Sequence, residues 1–235
     1  MMPATADVDA RVEQVLAWLS RRGSRANRRG MARFGIRSAQ VFGVSMATMR
    51  PLVRRLGRDH DLALALWTTG WLEARVLASF VDDPVKVTPR QMDRWAADFD
   101  NWAVCDSTCF HLFDRTPYAW RKVRVWSRRR SEFVRRAAFA TLAGLAVHNR
   151  TAADRQFLSF LPVIERAAAD DRNFVKKAVN WSLRQIGKRN PALNRAALVV
   201  ARRLALSPTP AARWVGKDAL RELSGAAVQA RLSRR

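Results

Sequence analysis

Apolar residues recur along most of this chain at intervals of three and four, the spacing that lines one face of an α-helix. Val8, Val12, Val15, Leu16 and Leu19 form the first such stripe, within Val8 to Arg21, and the pattern continues through Met49–Leu56 and Leu62–Trp67. It resumes from Trp71 to Phe80 after a Thr-Thr-Gly break. Thr88-Pro89 offers a capping hydroxyl and a first-turn proline ahead of Met92–Phe99. Asn190-Pro191 and Ser207-Pro208-Thr209-Pro210 mark turns between later helices. No segment alternates with period two, so the pattern predicts an all-α chain of roughly ten to twelve helices.

A repeat organises those helices. Phe133-Val134-Arg135-Arg136-Ala137-Ala138 returns as Phe174-Val175-Lys176-Lys177-Ala178-Val179, and more loosely as Trp214-Val215-Gly216-Lys217-Asp218-Ala219. The offsets are 41 and then 40 residues. A period near 40 is that of HEAT and armadillo helix pairs, in which each pair buries its apolar face on its neighbours. The expected architecture is therefore one HEAT-like domain over 1–235, a solenoid of about five or six antiparallel pairs with a concave basic face. The basic pairs Arg135/Arg136 and Lys176/Lys177 open successive helices and should fall in register, near helix N-termini that favour phosphate. Solvated helix faces are the plainer reading of such pairs.

Charge narrows the partner. The 235 residues carry 43 Lys and Arg against 20 Asp and Glu, a net charge of +23. Only six of the basic residues are Lys; guanidinium forks match phosphate oxygens, although a GC-rich genome also favours Arg codons. With 49% hydrophobic residues the chain can fold, unlike a basic disordered tail. Nucleic acid is the expected partner, ahead of an acidic protein or a membrane surface. No stretch approaches a membrane span, and residues 1–10 show no secretory pattern. The two cysteines, Cys105 and Cys109, exclude a disulfide framework and suggest a reducing compartment. The expectation is a cytoplasmic monomer, nucleoid-associated when bound to DNA.

Two aromatic–charged pairs could carry chemistry. Trp102 and Asp106 are four apart and share a helix face. An aromatic plane beside a carboxylate suits holding a sugar and stabilising an oxocarbenium-like state. The alternative is a core Trp102 and an Asp106 that caps the helix containing Phe110. Trp181 lies four residues after Lys177, a basic-aromatic face suited to nucleotide stacking or to a cationic base; a core tryptophan is the alternative here too. Trp18, Trp67, Trp95 and Trp126 read as packing. Arg128-Arg129-Arg130 and Arg28-Arg29 read as phosphate contacts or loop charge. Cys105, Cys109 and His111 lack a fourth ligand for zinc. There is no phosphate-cradling glycine loop and no carboxylate cluster for two metals, so neither metal nor cofactor is expected.

The order Trp-x-x-x-Asp, then apolar-apolar-Arg-Arg-x-Ala, then Phe-apolar-basic-Lys-Ala-apolar-x-Trp-x-Leu-Arg resembles the AlkD-like DNA alkylation-repair glycosylases, a HEAT-like repeat family. Phe42-Gly43-Val44 before Met49-Arg50-Pro51, and Trp71-Leu72-Glu73-Ala74-Arg75, resemble that family's N-terminal pattern. The resemblance implies metal-free hydrolysis of the N-glycosidic bond of cationic N3- and N7-alkylated purines in double-stranded DNA, without capture of the base in a deep pocket. It implies Trp102 and Trp181 against the sugar, Asp106 stabilising the sugar cation and positioning water, and Arg136 rather than Arg135 on the phosphate. Ala103 stands where the family often has a second acidic residue. The same scaffold includes members that bind DNA without excising bases, so a non-enzymatic protein for distorted or branched DNA is the rival reading.

Overall fold

The computed structural model describes residues 4–36 and 38–234, and every regular element among them is helical. The chain folds as two compact units, Met1–Thr116 and Pro117–Arg235.

The first unit contains α1 (Ala4–Arg21), α2 (Arg25–Arg33), α3 (Met46–Leu56), α4 (His60–Thr68), α5 (Leu72–Val81), α6 (Pro89–Ala97) and α7 (Trp102–His111). A short 3-10 turn at Phe113–Arg115 follows. α4 packs on α5 and α5 on α7, while α1 lies against α4 and α3 against α5. Thr88 caps α6 as its sequence suggests, its Oγ1 accepting from Gln91 N at 3.1 Å with Pro89 opening the helix. Trp67 and Trp95 stack at 3.9 Å between ring centroids, with Phe99 and Phe113 beside them. Trp67 donates its indole N–H to Asp98 Oδ2 at 2.7 Å, so the polar edge of a buried ring is satisfied. Between α4 and α6, buried Asp82 lies 2.6 Å from His60 Nδ1 and accepts from Gln91 Nε2 at 2.6 Å. Burial pushes the Asp82 carboxyl up despite these partners.

The second unit contains α8 (Ala119–Trp126), α9 (Glu132–His148), α10 (Asp154–Leu158), α11 (Leu161–Ala167), α12 (Asn173–Gly187), α13 (Pro191–Ala205), α14 (Pro210–Leu223) and α15 (Ala226–Ser233). The three helices bearing the repeated motif stand side by side, α12 between α9 and α14. Every residue of α9 from Arg136 to Ala146 is buried. Its run of alanines with Gly144 lets neighbours approach from all sides. Asn190 caps α13 through Leu193 N at 2.8 Å, and Pro191 and Pro210 open α13 and α14.

The looser third copy of the motif has a packing cause. A Cβ on Gly216 would lie 2.6 Å from the Ala201 carbonyl oxygen and as close to the Leu204 carbonyl carbon of α13. The position that holds Arg135 and Lys176 in the other copies is therefore glycine where α13 and α14 meet backbone to backbone.

Candidate active site

In the first unit, α7 begins at Trp102 because buried Asn101 caps it, its Oδ1 accepting from Ala103 N at 3.0 Å and Val104 N at 3.1 Å. Asp106 therefore lies one turn inside the helix and is not its cap, which removes the capping alternative. The core alternative fails as well: Trp102 is half-buried, and its indole N–H donates 2.8 Å to the carbonyl of Phe34. Trp102, Ala103, Asp106 and Ser107 form one wall of an open cleft of about 700 Å³. Met31 and Phe34, with Met46 and Met49 of α3, supply other walls. Asp106 is the one carboxylate among the lining residues. Phe34, at the end of α2, is 74% exposed, an aromatic ring at a cleft rim that its surrounding sequence, Met31-Ala32-Arg33-Phe34, does not announce.

The loop at residues 42–44, which leads into the cleft wall at Val44, Ser45 and Met46, is held by Glu73 of α5. This carboxylate is wholly buried; Oε1 accepts from Gly43 N at 2.7 Å and Val44 N at 3.0 Å, and Oε2 accepts from Phe42 N at 3.0 Å. Gly43 has φ +82, and a Cβ there would lie 2.8 Å from Arg28 Cγ, so the turn requires glycine. The Phe42 ring stacks on Trp71 at 3.8 Å. Phe42 O accepts from Ser24 N at 3.0 Å and Gly43 O from Asn27 Nδ2 at 3.0 Å, which ties α2 to the same loop. Phe42-Gly43-Val44 and Trp71-Leu72-Glu73 are thus the two halves of one clasp, a role invisible while they are read as separate motifs.

In the second unit the basic pairs open α9 and α12, and part of their charge is engaged. Arg136 is 6% exposed, and its Nη1 donates to the Phe174 carbonyl at 2.5 Å. Arg135 Nη1 pairs with Asp170 at 3.0 Å. Burial alone would raise Asp170, but Arg172 and Arg135 outweigh it and hold the carboxyl below its ordinary range. Phe133 lies 5.4 Å from Phe174, and Lys176 Nζ lies 5.1 Å over the Trp214 ring, so the aromatic starts of the motif join adjacent helices. Lys177 is exposed and Trp181 half-buried one turn later on α12. Arg128, Arg129 and Arg130 are exposed ahead of α9, and the Arg130 carbonyl accepts from Arg172 Nη1 at 2.6 Å.

Other expectations resolve plainly. Trp67, Trp95 and Trp126 are buried packing residues, but Trp18 is not: it is half-exposed beneath the Arg22 guanidinium, 4.1 Å from its ring centroid. Its neighbours Val15 and Leu19 take the core-facing positions of α1. Cys105 and Cys109 are buried, and His111 stacks on Phe80 at 4.1 Å. No helix among the described residues is long and apolar enough to cross a membrane.

The described residues fold as an all-helical chain of packed helices, with Trp102 and Asp106 side by side on the wall of one cleft. Residues 15–223 match the sequence model of the DNA alkylation repair enzyme family, and the chain belongs to that family. No curated protein sequence matches it. Among solved structures it is similar, with TM-score 0.76 and 17% identity over 94% of this chain and 95% of the other, to a protein described as one of "a new family of proteins related to the HEAT-like repeat DNA glycosylases with affinity for branched DNA structures". That likeness establishes a HEAT-like fold. A designed armadillo-repeat protein in complex with a (KR)4 peptide aligns at TM-score 0.30 and 12% identity over 99% of this chain and 92% of its own, too weakly to carry an argument.

Proposed function

We propose that this chain is a monofunctional DNA glycosylase that hydrolyses the N-glycosidic bond of cationic N3- and N7-alkylated purines in duplex DNA. The observation that carries this reading is the pairing of Trp102 and Asp106 on the wall of a largely apolar cleft in which Asp106 is the one carboxylate among the lining residues, on a helix whose cap is Asn101. An alkylated purine is already positive and departs as a neutral base, so no general acid is needed. What remains is positive charge growing on the sugar, which one nearby carboxylate stabilises, more strongly in an apolar setting than in water. In this reading Asp106 faces the sugar cation and orients the attacking water. Trp102, fixed by its bond to the Phe34 carbonyl, packs against the sugar; Trp181, on α12 of the second unit, is the other aromatic proposed to contact the DNA.

Arg136 is the proposed phosphate contact, with Arg135, Lys176, Lys177 and Arg128–Arg130 as further backbone contacts. Because Arg136 also bonds the Phe174 carbonyl, its loss should loosen the α9–α12 junction as well as DNA binding.

The test is release of free base from N-methylated duplex DNA, followed by chromatography, with wild type and Asp106→Asn side by side. The expected result is 3-methyladenine or 7-methylguanine from wild type, about a hundredfold slower or more from the variant on the scale of lost electrostatic stabilisation, with DNA affinity retained. Equal rates from both would remove Asp106 from the mechanism. The second reading, a non-enzymatic protein for distorted or branched DNA, draws on Ala103 and on the described affinity of the similar structure; it predicts tight, salt-sensitive binding with no base released.

A further inference from the structure

α3 borders two hollows of the first unit. Ser45, Met46 and Met49 face the Asp106 cleft, whereas Thr48, Leu52 and Arg55 line a second groove shared with α1. That groove consists of two recesses, about 420 and 320 Å³, which have Trp18, Leu52 and Arg55 in common. Its floor is apolar, with Val15 and Leu52 buried. Arg11, Arg21, Arg22 and Arg55 stand around it, and no carboxylate is among the lining residues. Arg11 is held by Asp59 at 2.6 Å and Arg22 lies over Trp18, while Arg21 and Arg55 are exposed.

We infer that this groove binds single-stranded DNA, an unpaired tail or arm continuing from the duplex. The combination of groups selects that ligand. Guanidinium groups recruit phosphates, but a duplex presents only its backbone, because both faces of every base are occupied by stacking. An unpaired nucleotide offers a bare ring face, which the Trp18 indole and the Leu52 floor would cover while Arg21 and Arg55 meet its flanking phosphates. An acidic peptide would satisfy the arginines and leave the aromatic and aliphatic surface wet. The inference rests on the DNA-directed reading above but not on the chemistry at Asp106.

The experiment measures fluorescence anisotropy of wild type, Trp18→Ala and Arg55→Ala on three labelled probes: a blunt duplex, the same duplex with an oligo-dT tail, and oligo-dT alone. The tail should raise wild-type affinity about tenfold, the scale of one or two stacked bases. Trp18→Ala should abolish that gain while leaving blunt-duplex affinity and base release from methylated blunt duplex unchanged. Arg55→Ala should reduce the salt slope of oligo-dT binding by about 0.7, one phosphate contact on a single strand. Because Arg55 is exposed, its variant decides the matter even if Trp18→Ala folds poorly. A tail that adds nothing for wild type, a gain that survives both substitutions, or equal competition by poly-glutamate would overturn the inference. Tail preference without any base release would instead sink the glycosylase reading and leave this one standing.

Discussion

Replacing Glu73 by Gln changes one atom and tests how the cleft is built. The carboxylate receives three backbone N–H groups, two on Oε1 and one on Oε2. A glutamine can keep its carbonyl toward Gly43 and Val44, but its amide then points N–H against N–H at Phe42. The two surviving bonds fall from charge-assisted to neutral strength, a loss of about 1 kcal/mol each, and the opposed donors add about 1–3 kcal/mol. The lower cost of burying a neutral side chain returns about 1–2 kcal/mol, which leaves a net destabilisation of about 2 kcal/mol. Glu73→Ala, which strips all three bonds and opens a cavity, should cost about 4 kcal/mol. Urea denaturation followed by far-UV circular dichroism reads the total, and amide hydrogen exchange at residues 42–44 reads the place. A loss of about 2 kcal/mol corresponds to roughly thirtyfold faster exchange at those amides if they open with the loop. Exchange at residues 42–44 unchanged in Glu73→Gln would refute the view that this carboxylate holds the loop.

Other substitutions probe the remaining joints. Gly216→Ala forces a methyl into the α13 backbone and should cost about 3 kcal/mol by thermal denaturation. Arg58→Ala removes only a bond to the Asp82 carbonyl and should cost about 1 kcal/mol in the same assay. Asp170→Asn should destabilise by about 1–2 kcal/mol at pH 7. Since the folded Asp170 carboxyl is held below its ordinary value near 3.8, its contribution is complete above that value and disappears as pH falls through the folded pKa. The gap between wild type and variant in denaturation midpoint should therefore close in acid. Phe34→Ala should leave the melting temperature within about 1 °C, because the ring is largely exposed, but reduce base release; an unchanged rate would remove the ring from substrate contact.

Local signals carry the fold. Thr88-Pro89 and Asn190-Pro191 act through bonds of three residues' reach, so their helix starts are readable from a few letters. The 40-residue period is equally legible, since each motif copy repeats the same packing problem. Trp102 and Asp106 are visible as a pair because one helix turn suffices to bring them together. What stays hidden in the sequence depends on distant partners. Glu73 looks like any helical glutamate until the Phe42–Val44 loop folds onto it from about thirty residues away. Arg136 reads as a free phosphate ligand until α12 brings the Phe174 carbonyl to it. Trp18 sits beside two core positions and reads as a third, because a helical stripe one residue wider or narrower cannot be distinguished by spacing alone.

α2 contributes no buried residue of its own, although it lines the cleft through Asn27, Gly30 and Met31. What fastens it to the rest of the first unit includes two polar bonds, Ser24 to Phe42 and Asn27 to Gly43. Lifting this helix away would therefore expose little apolar surface, and its cost would be that of a few hydrogen bonds exchanged for water. The dimensions of the cleft are then an elastic property. On the proposed function, a lesion that crowds the resting space would meet a cost of a few kcal/mol and not outright rejection, so tolerance of bulky lesions becomes a question of how firmly a few hydrogen bonds, the Trp102–Phe34 bond among them, hold a superficial helix.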